Sequence, residues 1–391
     1  MTLLSSAQIS PPVFAFALTL QPGLSVQPLK SWRPDCMASL ADISGSITAH
    51  PPDARAAAIG ASAPALLDVR ALSLAFKTSN GELPVIRDIS FSVNPGERVG
   101  IVGESGCGKT VTGLALLRLL PARSVRLSGQ ILFEGRDLAS LSTREMRAVR
   151  GREIAVIFQE PMSALDPVFT VGDQISEAYR AHFPVDRKEG RERAIVALAG
   201  VGIPAPERRC DDYPHQLSGG MRQRVMIAMA LICKPKLLIA DEPTTALDVT
   251  VQSQITDLLQ RLSERTGTAL LFISHDLGVV AETCTRMITM YAGEVVEDAP
   301  VDDVLVKPRH PYTSGLLRSL PRLSARRSVL PSIPGRVPSL QAMPPGCRFQ
   351  PRCTHAVDRC AAQQALAELS RLHRVRCCRA SELALPGTVN P

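Results

Sequence analysis

Eight consecutive residues, Gly103-Glu104-Ser105-Gly106-Cys107-Gly108-Lys109-Thr110, follow the spacing G-x-x-x-x-G-K-[ST]. Glycines let backbone N–H groups close around an anion where a Cβ would block the approach. Lys109 is spaced to reach the β- and γ-phosphates of a nucleotide, and the Thr110 hydroxyl to bind Mg²⁺. With glycine near ~7% of residues, a chance match in a chain of this length is on the order of one in a hundred. The bland alternative is a glycine turn ahead of a helix.

Two further segments decide what a bound nucleotide would undergo. Leu237-Leu238-Ile239-Ala240 is an apolar run that ends in Asp241-Glu242. Asp241 is placed to hold Mg²⁺, directly or through water. Glu242, one residue further on, could polarise a water for attack on the γ-phosphate, a role that contributes roughly 10²–10⁴ in rate. Leu217-Ser218-Gly219-Gly220 opens a helical stretch about 110 residues beyond the first loop. Ser218 reads as an N-cap. Two glycines at a helix start cost stability unless something approaches closely, and an anion could do so. One nucleotide does not need two phosphate cradles on one chain. A head-to-tail pair of subunits would use both, each nucleotide lying between the loop of one and the Ser218 turn of the other.

These groups need elements that hold them. Arg98-Val99-Gly100-Ile101-Val102 is a short buried-strand signal that runs straight into the glycine loop, and Val111 to Leu120 reads as a helix stopped by Pro121. Strand, loop and helix in that order are the context a phosphate loop requires. Leu67 to Phe76 and Val85 to Val93 alternate like half-buried strands, consistent with a small antiparallel layer. Ile154–Phe158, Leu237–Ala240 and Leu270–Ile273 repeat the buried-strand signal, with helical stretches such as Met221–Cys233 and Gln252–Glu264 between them. That alternation predicts an α/β fold with a mainly parallel sheet and ligands at the strand C-terminal ends. Residues 160–235 read as an inserted helical subdomain.

The 391 residues include 45% hydrophobic, 21% charged and 4% aromatic side chains, an ordinary globular composition that excludes wholesale disorder and fibrous repeats. The length suits two or three domains. No apolar run approaches the roughly 18–20 residues a membrane helix needs. Val13 to Leu20 is apolar, but residues 1–29 contain no Lys or Arg, so a secretory signal is not expected there. Residues 1–65 are read instead as a weakly ordered extension. Ten cysteines in a chain of this length argue for a reducing compartment. The net charge of +7 is uneven: residues 321–391 hold eleven arginines, no lysine and three acids, a net of +8, which leaves −1 for the other 320 residues. The basic balance therefore belongs to the C-terminal part and does not argue for a nucleic-acid motor.

In order and spacing these motifs resemble the ATP-binding subunit of an ABC transporter, a P-loop NTPase. Walker A corresponds to Gly103–Thr110, the Q-loop to Gln159, and the signature to Leu217–Gly220. Walker B corresponds to Leu237–Asp241 with catalytic Glu242, the D-loop to Ala246-Leu247-Asp248, and the H-loop to His275. The resemblance implies that Gln159 senses γ-phosphate and Mg²⁺, that His275 contacts the γ-phosphate, that Asp248 acts across a dimer interface, and that Phe76 stacks on adenine. Taken alone, Gln159 and His275 read as ordinary strand-end residues, Asp248 as a helix cap and Phe76 as core. Gly103-Glu104-Ser105-Gly106, Phe158-Gln159-Glu160-Pro161-Met162 and His310-Pro311-Tyr312-Thr313 resemble the oligopeptide/dipeptide (and nickel) importer branch. So does Gly346-Cys347-Arg348-Phe349-Gln350-Pro351-Arg352-Cys353. The implied function is ATP hydrolysis that drives di- or oligopeptide import, with nickel or glutathione as alternative cargo. The implied partners are two membrane-spanning permeases, a second ATP-binding subunit and, indirectly, a solute-binding protein. The implied location is the cytoplasmic face of the cell membrane, on its periphery. A nucleic-acid-associated ABC ATPase is the rival class, but such proteins interrupt their ATPase halves with long insertions, and here the motifs are contiguous. Domain limits follow as 1–65 extension, 66–320 ATPase and 321–391 C-terminal region.

Five cysteines, Cys347, Cys353, Cys360, Cys377 and Cys378, lie in that last region. By residue type they could be free thiols, a disulfide, a zinc site or an iron–sulfur site. The resemblance to the importer branch implies a [4Fe–4S] cluster on Cys347, Cys353, Cys360 and Cys377, with Cys378 an adjacent alternative for the last ligand.

Overall fold

The computed structural model describes residues 64–388 apart from 80, 161–163, 246 and 321–331. Most of the expected extension, residues 1–63, and the expected boundary at Pro321 lie outside the described residues.

Two sheets stack face to face. The alternating segments near the start form β1 (Leu67–Thr78) and β2 (Gly81–Val93), which pair antiparallel. With β4 (Val125–Phe133) and β5 (Arg136–Asp137) they make a four-stranded layer in the order β2-β1-β4-β5. The larger sheet is built around β3 (Arg98–Val102), β6 (Ile154–Ile157), β7 (Leu237–Asp241), β8 (Ala269–Ile273) and β9 (Arg286–Tyr291), all parallel. Three antiparallel strands complete one edge: β10 (Glu294–Pro300), β12 (His373–Val375) and β11 (Ala367–Ser370). The full order is β11-β12-β10-β9-β3-β8-β7-β6.

The parallel strands read as unbroken apolar runs because both of their faces are buried. On β7, Leu237 and Ile239 face the antiparallel layer, while Leu238 and Ala240 face the helices. On β8, Leu271 and Ile273 take the first side, Leu270 and Phe272 the second. Each such leucine or isoleucine adds roughly 1.5–3 kcal/mol on burial. A short helix, α2 (Thr143–Val149), precedes β6, and the expected helical subdomain falls between β6 and β7. Its helices are α3 (Val171–Arg180), α4 (Arg187–Gly200) and α5 (Gly219–Leu231), two of them capped by Thr170 and Asp186. Their buried Ile175, Leu198 and Ile227 share one core with Ile157 and Leu238 of the sheet.

The helix after the glycine loop, α1 (Lys109–Leu116), is shorter than the expected run to Leu120. Arg118 turns left-handed, with φ of 51°. The Leu119 N–H then bonds back to Leu114 O at 2.9 Å and the Arg118 N–H to Ala115 O at 3.0 Å, the double bond that closes a helix end. Glycine usually fills that position. Here Arg118 holds it and anchors its guanidinium on Leu138 O at 3.2 Å, so the stop carries no glycine signal.

The C-terminal region is joined to the large sheet. Glu297 and Asp298 of β10 pair with Val375 and Arg374 of β12. Buried Asp298 is held by Arg286 at 2.6 Å and by Arg374, and fully buried Glu297 meets His373 Nε2 at 2.8 Å. Tyr291, Tyr312 and Phe349 form a separate aromatic core beneath it, joined by partly buried Cys347 and Cys353.

Candidate active site

The site lies along one row of strand ends. Ile101 of β3 pairs with Ile273 of β8, and Ile273 pairs with Asp241 of β7. The glycine loop follows β3, Glu242 follows β7, His275 follows β8 and Gln159 follows β6. Register alone therefore brings four distant segments to one edge, where ligands of open α/β sheets bind.

The loop curls back on itself. Gly103 has φ of 153°, and a Cβ there would meet Met290 O at 2.2 Å, so only glycine fits. Gly108 starts α1 in the left-handed conformation with no side-chain cap, which leaves the first N–H groups of the helix for a ligand. Lys109 is buried and folds over the loop, donating to Gly103 O at 2.8 Å and Glu104 O at 3.2 Å. Those carbonyls hold the ammonium where phosphate oxygens would compete for it. Cys107 is tucked beneath the loop with its Sγ 4.0 Å from Lys109 Nζ, and burial pushes its thiol pKa up. Ser105 and Gly106 stand exposed at the rim.

Behind the loop, the Thr110 hydroxyl lies 3.1 Å from Asp241 Oδ1. Burial pushes the Asp241 carboxyl up to about 6, partly offset by the Thr110 hydrogen bond; nearby Glu242 adds to the rise. A hydroxyl beside a half-desolvated carboxylate is a hard-oxygen set that fits Mg²⁺, which takes few protein ligands and keeps waters and phosphate oxygens for the rest.

Glu242 is the hub. Its backbone is left-handed, with φ of 46°, a conformation that costs a non-glycine residue of order 1 kcal/mol or more. Its Oε2 accepts from Gln159 Nε2 and from the Thr245 hydroxyl, both at 3.0 Å, and its Oε1 lies 3.3 Å from His275 Nδ1. Two residues named from the sequence, Gln159 and His275, thus converge on the carboxylate of a third, Glu242. Thr245 was not singled out. Its signal was its place three residues past Glu242, where a loop hydroxyl can bond back.

Ser218, Gly219, Gly220 and Asp248 form a second locus. Ser218 caps α5, accepting from Met221 N at 3.3 Å, and it is exposed together with Gly219. Asp248 caps α6 (Val249–Thr266), accepting from Val251 N at 2.9 Å. Gly220 packs beside Val251, so the two helix starts adjoin. Among the described residues no hydrogen bond or ion pair joins Ser218–Gly220 to the glycine loop. Ala246 of the expected D-loop lies outside the described residues. Phe76 is half-buried against the core of the antiparallel layer.

The C-terminal thiols are gathered. Burial raises Cys347 to about 12, with Cys353, Cys360 and Cys377 nearby adding to the rise. Burial likewise raises Cys353 and Cys377. The near contact is Cys360 Sγ to Cys378 Sγ at 3.8 Å, not to Cys377. Among the described residues no group of three His, Cys, Asp or Glu is arranged to hold a metal ion. Nothing among the described residues supports a [4Fe–4S] cluster on the four expected ligands.

The sequence pattern of the family described as ABC transporter matches residues 86–245, and that of the oligopeptide/dipeptide transporter C-terminal region matches residues 296–360. A Brucella melitensis protein described as a peptide import ATP-binding protein is 51% identical over 333 residues, covering 82% of this chain and 98% of that one. A Sinorhizobium fredii protein described as a peptide ABC transporter ATP-binding protein is 53% identical over 321 residues, covering 81% and 96%. The dimeric cassette MJ0796 is 27% identical with a TM-score of 0.54 over 60% of this chain and 98% of that one. CbiO1 of Clostridium perfringens, from the cbiONQ transporter complex, is 29% identical with a TM-score of 0.52, over 61% and 90%. The chain belongs to the ABC transporter family as an ATP-binding, ATP-hydrolysing cassette with an oligopeptide/dipeptide-type C-terminal region. Among the described residues no helix is long and apolar enough to cross a membrane.

Proposed function

We propose that this cassette powers import of di- or oligopeptides through separate membrane-spanning subunits. The observation that carries the catalytic part is the convergence of Gln159, Thr245 and His275 on Glu242, one residue beyond the Thr110–Asp241 pair. The cargo class rests on the C-terminal region's match and on the relatives' descriptions.

In this reading Gly103–Thr110 wraps the phosphates and Lys109 exchanges its loop carbonyls for phosphate oxygens. Thr110, Asp241 and the Gln159 amide oxygen would hold Mg²⁺, which when bound neutralises charge on the β- and γ-phosphates. Glu242 takes a proton from the attacking water as the water oxygen bonds to Pγ. The bond from Pγ to the bridging oxygen breaks, and ADP leaves with its electron pair. His275 orients Glu242 and faces the γ-phosphate. Phe76 is assigned to the adenine.

Ser218, Gly219 and Gly220 would complete the site of a second ATP-binding subunit, the same chain or a related one, with Asp248 beside that interface. The exposure of Ser218, Gly219 and Asp248 supports this. Two permease subunits on the cytoplasmic face of the membrane are the mechanical partners, with a solute-binding protein acting indirectly. Phe158, next to Gln159, is 40% exposed, an apolar side chain suited to contact a permease segment.

Uptake of a labelled dipeptide by cells carrying the chain tests the cargo. Uptake should collapse when Lys109→Ala replaces the natural residue. Uptake unchanged by that replacement would contradict the proposal.

A further inference from the structure

The phosphate loop contains an acid that phosphate binding does not want. Glu104 immediately follows Gly103, its carbonyl oxygen accepts from Lys109, and its carboxylate shares the loop that must receive a polyanion. The C-terminal region answers this charge. Arg352 Nη1 donates to Glu104 Oε2 at 2.7 Å and Arg352 Nη2 to Oε1 at 3.0 Å, a two-point pairing across 248 residues. The arginine side chain is 5% exposed and the glutamate 30%. The guanidinium is fixed from behind: its Nε donates to Pro334 O at 3.0 Å, and it stacks 5.8 Å from the Tyr291 ring centre. A second tether runs through the backbone. The Glu104 N–H donates to the hydroxyl of fully buried Tyr312 at 2.9 Å. Tyr312 and Phe349, three residues before Arg352, pack with Tyr291 in one aromatic core.

Arginine stays charged at any physiological pH, and its planar fork fixes a carboxylate in direction as well as in charge. We infer that Arg352 is a positioning residue for nucleotide binding. It turns the Glu104 carboxylate outward, cancels its charge and, with Tyr312, holds the first turn of the phosphate loop open. The C-terminal region thereby acts on the ATP site as well as on the sheet edge. This rests on the ATPase reading above and adds to it a residue that lies outside every nucleotide motif in the sequence.

The experiment is MgATP binding by the purified full chain, with folding followed by circular dichroism. Arg352→Met leaves Glu104 uncompensated and should weaken MgATP binding by roughly tenfold, as one unscreened like charge near the phosphates would. Arg352→Lys, which restores charge without the fork, should recover most of that loss. Arg352→Met combined with Glu104→Gln should recover it as well, because the charge to be offset is gone; a purely structural role for the arginine would not be rescued this way. Wild-type binding by folded Arg352→Met, or a folded double variant as weak as the single one, would overturn the inference. Should Arg352→Met fail to fold, Arg352→Lys alone decides: most of the wild-type MgATP affinity is expected, and a tenfold loss in the folded variant would overturn the inference. An unaltered chain that binds no MgATP would overturn the ATPase reading and this inference with it.

Discussion

The start of α1 and the start of α5 are both glycine-rich helix N-termini, and they are built in opposite ways. At α1 the cap position is a left-handed glycine with no side-chain cap, the next residue is a buried lysine, and strand β9 presses on the loop through Met290. At α5 the cap is a serine that satisfies its own helix, and the glycine after it is exposed, where an added Cβ would come no nearer than 3.9 Å to a neighbour. The first terminus leaves its donors for a ligand and surrounds them with the chain's own groups. The second offers a flat, open surface. A helix N-terminus attracts anions wherever it occurs, but only an enclosed one makes a complete site within a single chain. The other is suited to close against something brought by a second subunit.

The strongest way to break this contrast is to fill the open terminus. Ser218→Arg should leave MgATP binding by the chain's own loop unchanged and lower steady-state turnover by roughly 10²–10³, the cost of losing one set of charge-stabilising donors. Turnover equal to wild type would place the whole site in one chain. The next effects are on stability. Gly103→Ala puts a methyl into Met290 O and should cost about 2 kcal/mol or more in urea unfolding, with loss of MgATP binding. Gly219→Ala has room and ordinary backbone angles, so it should be neutral or stabilise by up to ~1 kcal/mol while still lowering turnover. Equal destabilisation at the two glycines would erase the distinction between the termini.

The sequence named most of the residues that the structure gathers at the strand ends, and the rest unevenly. Gly103–Thr110, Asp241, Glu242, Gln159 and His275 were legible because each ends or follows a short apolar strand, and a parallel sheet aligns such ends in one row. The two sheets were legible from alternation and from unbroken apolar runs. The end of α1 was not, because Arg118 stands where a glycine would have announced the turn. Thr245 was hidden because its role is a single short-range hydrogen bond with no spacing signature. Arg352 and Tyr312 were hidden for a different reason. Their partner Glu104 lies over two hundred residues away, and no local periodicity encodes a contact at that range. The cluster was implied by the resemblance to the importer branch alone, and nothing among the described residues supports it.

The central claim is that Glu242, held by Gln159, Thr245 and His275, is the base of the nucleotide site that the phosphate loop builds. Glu242→Gln keeps the shape and the hydrogen-bonding reach but cannot take the proton. Measured on one sample, MgATP binding should match the wild type while turnover falls by roughly 10²–10⁴. Turnover at the wild-type rate with binding intact would contradict the account.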